Sequence, residues 1–305
     1  MPFSDISCRS EKGPFRPVYP DSSLRNGIDH AQKDYSVKPI TTSELAQDYT
    51  RDGFISGIGV LSAEEVTTHR AQLEKVESQI GPLHYHNKVH TVLRSPYELA
   101  THPTLVDLVE KILGPDILLY NVTYIIKEPA TPSFVSWHQD LTYWGFDGDE
   151  QVTAWLALSP ASAHSGCMRM IPGSHQRGIR EQVTGDDPDN VLLQSQTIEN
   201  IRDDDAVLCP LMPGQASLHH GWTIHASNPN TGDDRRIGLN IQYISPKMRQ
   251  IKAASDSAML IRGEDRYGHY ETDQPATQWL SQDAAARLRV STQKYQAVSG
   301  VPNNP

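Results

Sequence analysis

Cysteine is scarce in this sequence. The three thiols, Cys8, Cys167 and Cys209, are too few and too scattered for a disulfide framework or a zinc cluster. Reduced thiols fit a cytoplasmic protein. No hydrophobic run approaches the length of a membrane span. The opening residues "MPFSDISCRSEKG" lack the long apolar core of a signal peptide. There is no long basic run, and the formal charge is −10, so nucleic acid and anionic membranes are disfavoured as partners. Internal repeats and low-complexity linkers are also missing. What remains is a chain of 305 residues, 37% hydrophobic and 21% charged, enough for a buried core and a soluble globular class. Oligomeric state leaves no readable mark.

Residues 1–40, with "GPFRPVYPDSS" inside them, are rich in proline, serine and charge and read as an irregular arm. Helices follow. Thr41–Asp52 suits a short one. "LSAEEV" is a capping box, in which Ser62 and Glu65 satisfy each other's backbone amides. Val66, Leu73, Val76 and Ile80 then keep to one helical face, and Gly81-Pro82 ends the run. A further helix opens near Pro103, buries Leu105, Val109 and Ile112, and stops at Gly114-Pro115.

After Asp116 the texture turns β-branched and aromatic. Strands are expected at Ile117–Lys127, Val152–Leu158, Cys167–Ile171, Ala206–Cys209, Ala216–His220, Trp222–Ala226 and Arg236–Ser245. Short strands parted by turns such as Pro172-Gly173 and Pro213-Gly214 point to a sandwich or barrel. The acidic stretches Gly185–Asn190 and Asp203–Asp205 read as solvated loops. Asp283–Arg289 suits a helix, and the last residues are expected to fray. The sequence thus predicts one domain over 41–305: a helical front end to about 115, a jelly-roll core to about 250, and a lid or helix beyond.

Thirteen histidines are present, and the question is which converge. His30, His69 and His102 sit in polar or helical surroundings. His138 and Asp140, in "SWHQDLTYWG", lie two apart, so on a strand they share a face. His225, in "WTIHASNPN", is the best third ligand; His220 is its rival, and His219 reads as structural on the opposite face. Two imidazoles and a carboxylate make the facial triad of non-haem Fe(II) oxygenases, which leaves open positions for a chelating co-substrate and dioxygen. Arg236 follows His225 by eleven residues. If the chain turns at "NPNTGDD" and returns, its guanidinium points into the barrel, suited to grip a carboxylate by two parallel bonds. Arg235 competes, but neighbours on a strand face opposite ways. Ser227 shares a face with His225 and can add a hydroxyl. Held by Arg236 and Ser227 at one end, a dicarboxylate could chelate the metal at the other, which describes 2-oxoglutarate.

The segments "VSWHQDLTYWG", "VTAWLAL", "GCMRMIPGSH" and "SLHHGWTIHASNPNTGDDRRIGLNIQY" resemble the phytanoyl-CoA dioxygenase (PhyH-like) family. "ELAQDYTRDGFISGIGVLSAEEV" fits its usual front end. The resemblance covers roughly residues 40–270. It implies a mainly β fold with flanking helices, a double-stranded β-helix of the jelly-roll, cupin-like type. It implies iron ligation by His138, Asp140 and His225, and 2-oxoglutarate bound by Arg236 and Ser227. Trp155 matches a tryptophan lining the co-substrate pocket, Thr123 falls on a lining strand, and Lys88 is a candidate basic residue there. The implied reaction consumes 2-oxoglutarate and O2, yields succinate and CO2, and oxidises a small organic substrate. Halogenating relatives carry a small residue in place of the carboxylate, so Asp140 favours hydroxylation or another oxidation.

Around this frame stand weaker candidates. Tyr143 and Trp144, like Trp137, read either as packing or as substrate contacts. Arg169 is a candidate partner for an anionic substrate group, His175 reads as a loop residue, and "RGEDRYGHY" (Arg262–Tyr270) as a lid. Cys167 and Cys209 read as small buried side chains. No basic cluster suggests a coenzyme A thioester, so the expected substrate is of natural-product or amino-acid type. Two rivals remain: a non-catalytic binding protein on the same scaffold, and a cupin-like metalloenzyme that does not use 2-oxoglutarate.

Overall fold

The computed structural model describes residues 42–299. The expected N-terminal arm, Cys8, His30 and the fraying end lie outside the described residues. In chain order the elements are α1 (Thr42–Asp52), β1 (Phe54–Gly59), α2 (Ala63–Ile80), α3 (Arg94–Ala100), α4 (Pro103–Leu113), β2 (Ile117–Lys127), β3 (Val135–His138), α5 (Leu141–Trp144), β4 (Gln151–Ala157), β5 (Met168–Met170), β6 (Val207–Cys209), β7 (Gln215–His219), β8 (His225–Ser227), β9 (Arg236–Ile244), β10 (Ser257–Arg262), β11 (Glu271–Thr272) and α6 (Ala284–Ser299).

Two sheets form. A seven-stranded sheet runs β1-β7-β4-β9-β2-β10-β11, and a four-stranded sheet runs β3-β8-β5-β6. Neighbouring strands are antiparallel except β10 and β11. The larger sheet is two-sided. Val122, Tyr124 and Ile126 of β2, Ala154 and Leu156 of β4, Ala216 and Leu218 of β7, and Leu239 and Ile241 of β9 join Leu73, Leu105 and Val109 of the helices in one buried cluster. The alternate residues Thr123, Trp155, His219, Asn240 and Gln242 face the other way, into a cavity. Helices therefore cover one face of the sheet, and the other face is free to build a site.

Local signals behave as expected at several ends. Ser62 Oγ accepts from the Glu65 amide at 3.3 Å, and Glu65 Oε2 accepts from the Ser62 amide at 2.7 Å. Ile117–Lys127 is a strand from end to end. Other boundaries differ. "FISGIG" is strand β1 inside the expected helical front end; its backbone adds to the edge of the sheet, with Phe54 opposite His219. The helix α3 was not anticipated. The strand expected over Trp222–Ala226 begins only at His225, because Thr223 N closes a turn onto His220 O at 2.8 Å. The final helix runs well past Arg289, to Ser299.

Gly238 marks the tightest point of the sheet. A Cβ there would lie 1.9 Å from the Trp155 ring, so the glycine lets the indole lie flat across β9. Gly238→Ala is expected to cost about 1–3 kcal/mol through overpacking, read as a lower denaturation midpoint in urea.

Candidate metal and co-substrate site

His138 closes β3 and His225 opens β8, and the two are directly paired across the strands. Their rings lie 4.1 Å apart, centroid to centroid. His138 Nδ1 meets the Ser136 carbonyl at 2.9 Å, and His225 Nδ1 meets the Thr223 carbonyl at 3.0 Å. A carbonyl only accepts, so each Nδ1 carries its proton and each Nε2 keeps a free lone pair. Both Nε2 atoms face Asp140 Oδ1, at 3.3 and 3.9 Å. One donor atom from each residue lies within 4.8 Å of the others, the arrangement a single ion requires.

Asp140 reaches this point by a different route from the expected one. It does not lie on the strand with His138. It sits past the strand end in helical geometry (φ −60°, ψ −48°), as the N-cap of α5. The buried Gln139 side chain pins the turn: its Nε2 donates to Trp222 O at 2.8 Å and its Oε1 accepts from Arg180 N at 2.8 Å. Burial alone would raise the Asp140 carboxyl. The neighbouring imidazoles of His138 and His219, and then that of His225, outweigh burial and hold it well below the usual carboxylate range. Burial, reinforced by His138, pushes His225 well below the ordinary imidazole value. Both groups thus keep the protonation states that metal ligation needs.

His219 was expected on the opposite strand face. It lies on the cavity face instead, 1% exposed, with Nε2 3.5 Å from Asp140 Oδ2. That separation is long for a hydrogen bond, and the contact is chiefly electrostatic. Thr153 Oγ1 approaches the same oxygen at 3.4 Å. The signal was present in "ASLHH", where apolar Ala216 and Leu218 alternate with Ser217 and His219. His220 is no ligand: its Nδ1 accepts from Trp222 N at 3.0 Å, and its ring packs near Tyr49 and His175. His175 holds a loop by bonding Thr50 O.

Arg236 is 1% exposed and lines the same cavity as the triad. Its Nη1 donates to Gly166 O at 3.0 Å, and its guanidinium carbon sits 5.0 Å from the Trp155 ring centroid. Its Nε and Nη2 are buried without a partner. Burial draws its pKa down to about 10, so it remains charged at neutral pH. Arg235 turns outward to Glu77 and Glu128. Ser227, Trp155, Thr123, Tyr143 and Trp144 all line the cavity. Thr123 Oγ1 donates to Asn87 Oδ1 at 3.2 Å, within a network that includes Asn121.

Three expected placements need correction. The Lys88 ammonium turns away from the cavity to Asp273, at 2.8 Å, and to the Ser257 carbonyl, because an acid partner is available there. Arg169 lies on the outer face of β5, beside Asp203 at 3.2 Å and over the half-buried Trp137, while Met168 takes the inward place. The segment Arg262–Tyr270 does not line the cavity; Leu192, Leu193, Gln194 and Gln196 form that wall, with Tyr295 of α6. A buried cation that sequence reasoning missed is Lys127, opposite Arg236 across β2 and β9. Its only signal was position, since an odd-numbered residue of β2 continues the face of Thr123.

The model of the family described as phytanoyl-CoA dioxygenase (PhyH) matches residues 49–238, more than half of the chain. The chain belongs to the PhyH family. Among its relatives, a probable alpha-ketoglutarate-dependent hypophosphite dioxygenase of Stutzerimonas stutzeri is 30% identical over 203 residues, 66% of this chain but 63% of that protein's own length. A 1-deoxypentalenic acid 11-beta-hydroxylase of Streptomyces arenae is 27% identical over 217 residues, covering 62% of this chain and 75% of that protein. Among solved structures, the apo form of the non-heme monooxygenase ThoJ superposes with a TM-score of 0.73 at 28% identity, covering 84% of this chain and 97% of that one. The fold is therefore that of PhyH-type non-haem oxygenases.

His138→Ala, Asp140→Ala and His225→Ala are each expected to weaken Ni(II) or Co(II) binding on the order of 100-fold or more, read by calorimetric titration. His220→Ala should leave that affinity within about threefold of the parent.

Proposed function

We propose that this PhyH-family protein is an Fe(II)- and 2-oxoglutarate-dependent dioxygenase. The observation that carries the reading is the pair of unpartnered N–H groups on buried Arg236, in one cavity with the His138–Asp140–His225 triad. An uncompensated buried guanidinium is costly unless an anion completes it. A carboxylate presented edge-on satisfies both free donors at once. Ser227 adds a hydroxyl beside it, and Trp155 covers the guanidinium face. His138, Asp140 and His225 fit Fe(II), with two imidazoles and a single carboxylate. A cupin-like enzyme that does not use 2-oxoglutarate leaves Arg236 unexplained.

When bound, Fe(II), 2-oxoglutarate and O2 together supply the oxidising power, with succinate and CO2 as by-products. The chain's own residues bind, orient and exclude. Asp140 would supply the carboxylate ligand of the iron, which favours hydroxylation or a related oxidation. Ile125, Val135 and Met168 make the inner wall apolar and keep water scarce. Tyr143 and Trp144 form part of the wall against which a substrate C–H bond is held.

The cavity also speaks to substrate class. Among the described residues that line it, the charged side chains are Asp140 and Arg236, beside three imidazoles. The remaining polar wall is mostly amide, Asn87, Asn121, Gln194, Gln196, Asn240 and Gln242, with the hydroxyls of Thr123 and Ser227, interleaved with aromatic rings. An amino-acid zwitterion or a small inorganic anion meets no further counter-charge there. An uncharged natural-product-like molecule bearing hydroxyl or carbonyl groups fits best. We place this activity in one domain over residues 41–305, and in the cytoplasm, where the two unpaired thiols Cys167 and Cys209 remain reduced.

Anaerobic addition of Fe(II) and then 2-oxoglutarate should produce the weak visible charge-transfer band of the chelate, and its absence in the parent protein sinks the proposal. Arg236→Ala should raise the half-saturating 2-oxoglutarate concentration on the order of 100-fold. Arg235→Ala should change it less than about twofold, because its partners Glu77 and Glu128 lie outside the cavity.

A further inference from the structure

Lys127 ends β2 on the face that carries Thr123 and Ile125, and it is 1% exposed. Its Nζ meets three oxygens, all at the end of β8: Ser227 Oγ at 2.7 Å, Ser227 O at 3.1 Å and Asn228 O at 2.6 Å. None of these partners is a carboxylate. Its cross-strand neighbour Arg236 likewise donates to a carbonyl, Gly166 O. Two buried basic side chains thus stand side by side without an acid, an arrangement that favours a bound anion.

An ammonium has three N–H donors and no acceptor. Two of the three contacts are carbonyls, so the third N–H is directed to Ser227 Oγ. A hydroxyl that accepts from an ammonium must send its own proton elsewhere. Ser227 lines the cavity, so a carboxylate bound there can take that proton. We propose that Lys127 is a positioning residue: it fixes the Ser227 hydroxyl as a hydrogen-bond donor into the cavity, toward the co-substrate carboxylate that Arg236 binds. The inference rests on the reading of this cavity as a 2-oxoglutarate site. Lys127 itself does not line the cavity. Burial, and then the charge of Arg236, draw its pKa down to about 6, so the three-donor form is the minor one at neutral pH while no anion is bound. A carboxylate lodged beside both cations opposes that shift and favours the three-donor form.

The test is a double-mutant cycle on 2-oxoglutarate affinity. Binding to the Fe(II)-loaded protein is titrated without oxygen and read from the visible band. The four proteins are the parent, Lys127→Met, Ser227→Ala and the double variant. Lys127→Met should weaken binding about tenfold in the parent and by no more than about twofold once Ser227 is already alanine. In turnover, Lys127→Met should raise the KM for 2-oxoglutarate and leave kcat at saturation within about twofold. Equal losses in both backgrounds, or unchanged affinity in Lys127→Met, overturn the proposal, because Lys127 would then act as general scaffold or field, or not at all. If Lys127→Met does not fold, Lys127→Gln, which keeps two donors for the carbonyls but no charge, runs through the same cycle with the same deciding outcomes. A parent protein without the band overturns the oxygenase reading itself, and this inference with it.

Discussion

Along β9, the apolar residues Ile237, Leu239 and Ile241 pack beneath the helices, and Arg236, Asn240 and Gln242 alternate with them to face the cavity. The same alternation runs through β2, β4 and β7. The pleat of the seven-stranded sheet is thus the constraint on which the molecule depends. One face must be apolar to fold, and the other is released from that duty. A one-residue slip of register would exchange the two faces, placing a guanidinium in the helix-facing core and an isoleucine beside the metal ligands. Stability and site geometry are therefore specified by the same pairing.

The site itself is built from buried polar groups whose needs are met on one side only. The two imidazoles are held by carbonyls at Nδ1, which leaves Nε2 for an ion. Arg236 is held by one carbonyl, with two donors unspent. Ordinary cores avoid such half-satisfied groups. Here the triad and Arg236 share one cavity, and the partners that would complete them have the chemistry of a divalent cation and a carboxylate.

Much of this was legible from residue order. The strand Ile117–Lys127 announced itself by composition, and the offset from His225 to Arg236 foretold a turn and an inward guanidinium. Strand alternation said that only one of Arg235 and Arg236 could face inward, and the offset from His225 with the family resemblance pointed to Arg236. Other features were hidden for identifiable reasons. Asp140 converges with His138 through a turn pinned by Gln139, a contact across many residues that no local period encodes. His219 was assigned to the wrong face because its neighbour His220 obscured the alternation. Lys88 and Arg169 are basic residues on segments expected beside the site, yet Asp273 and Asp203 claim them from elsewhere in the chain. Tyr295 enters the cavity from the last helix, whose length exceeded its visible signature.

That last residue carries a consequence for how the protein comes into being. Tyr295 lies about sixty residues beyond Arg236 and walls the cavity from the far end of the described chain. During synthesis the chain emerges from its N-terminal side. The residues of the triad, with Lys127 and Arg236, therefore leave the ribosome well before the helix that carries Tyr295. The Tyr295 side of the cavity can close only once the final helix has been made and docked, the latest of the described segments to leave the ribosome.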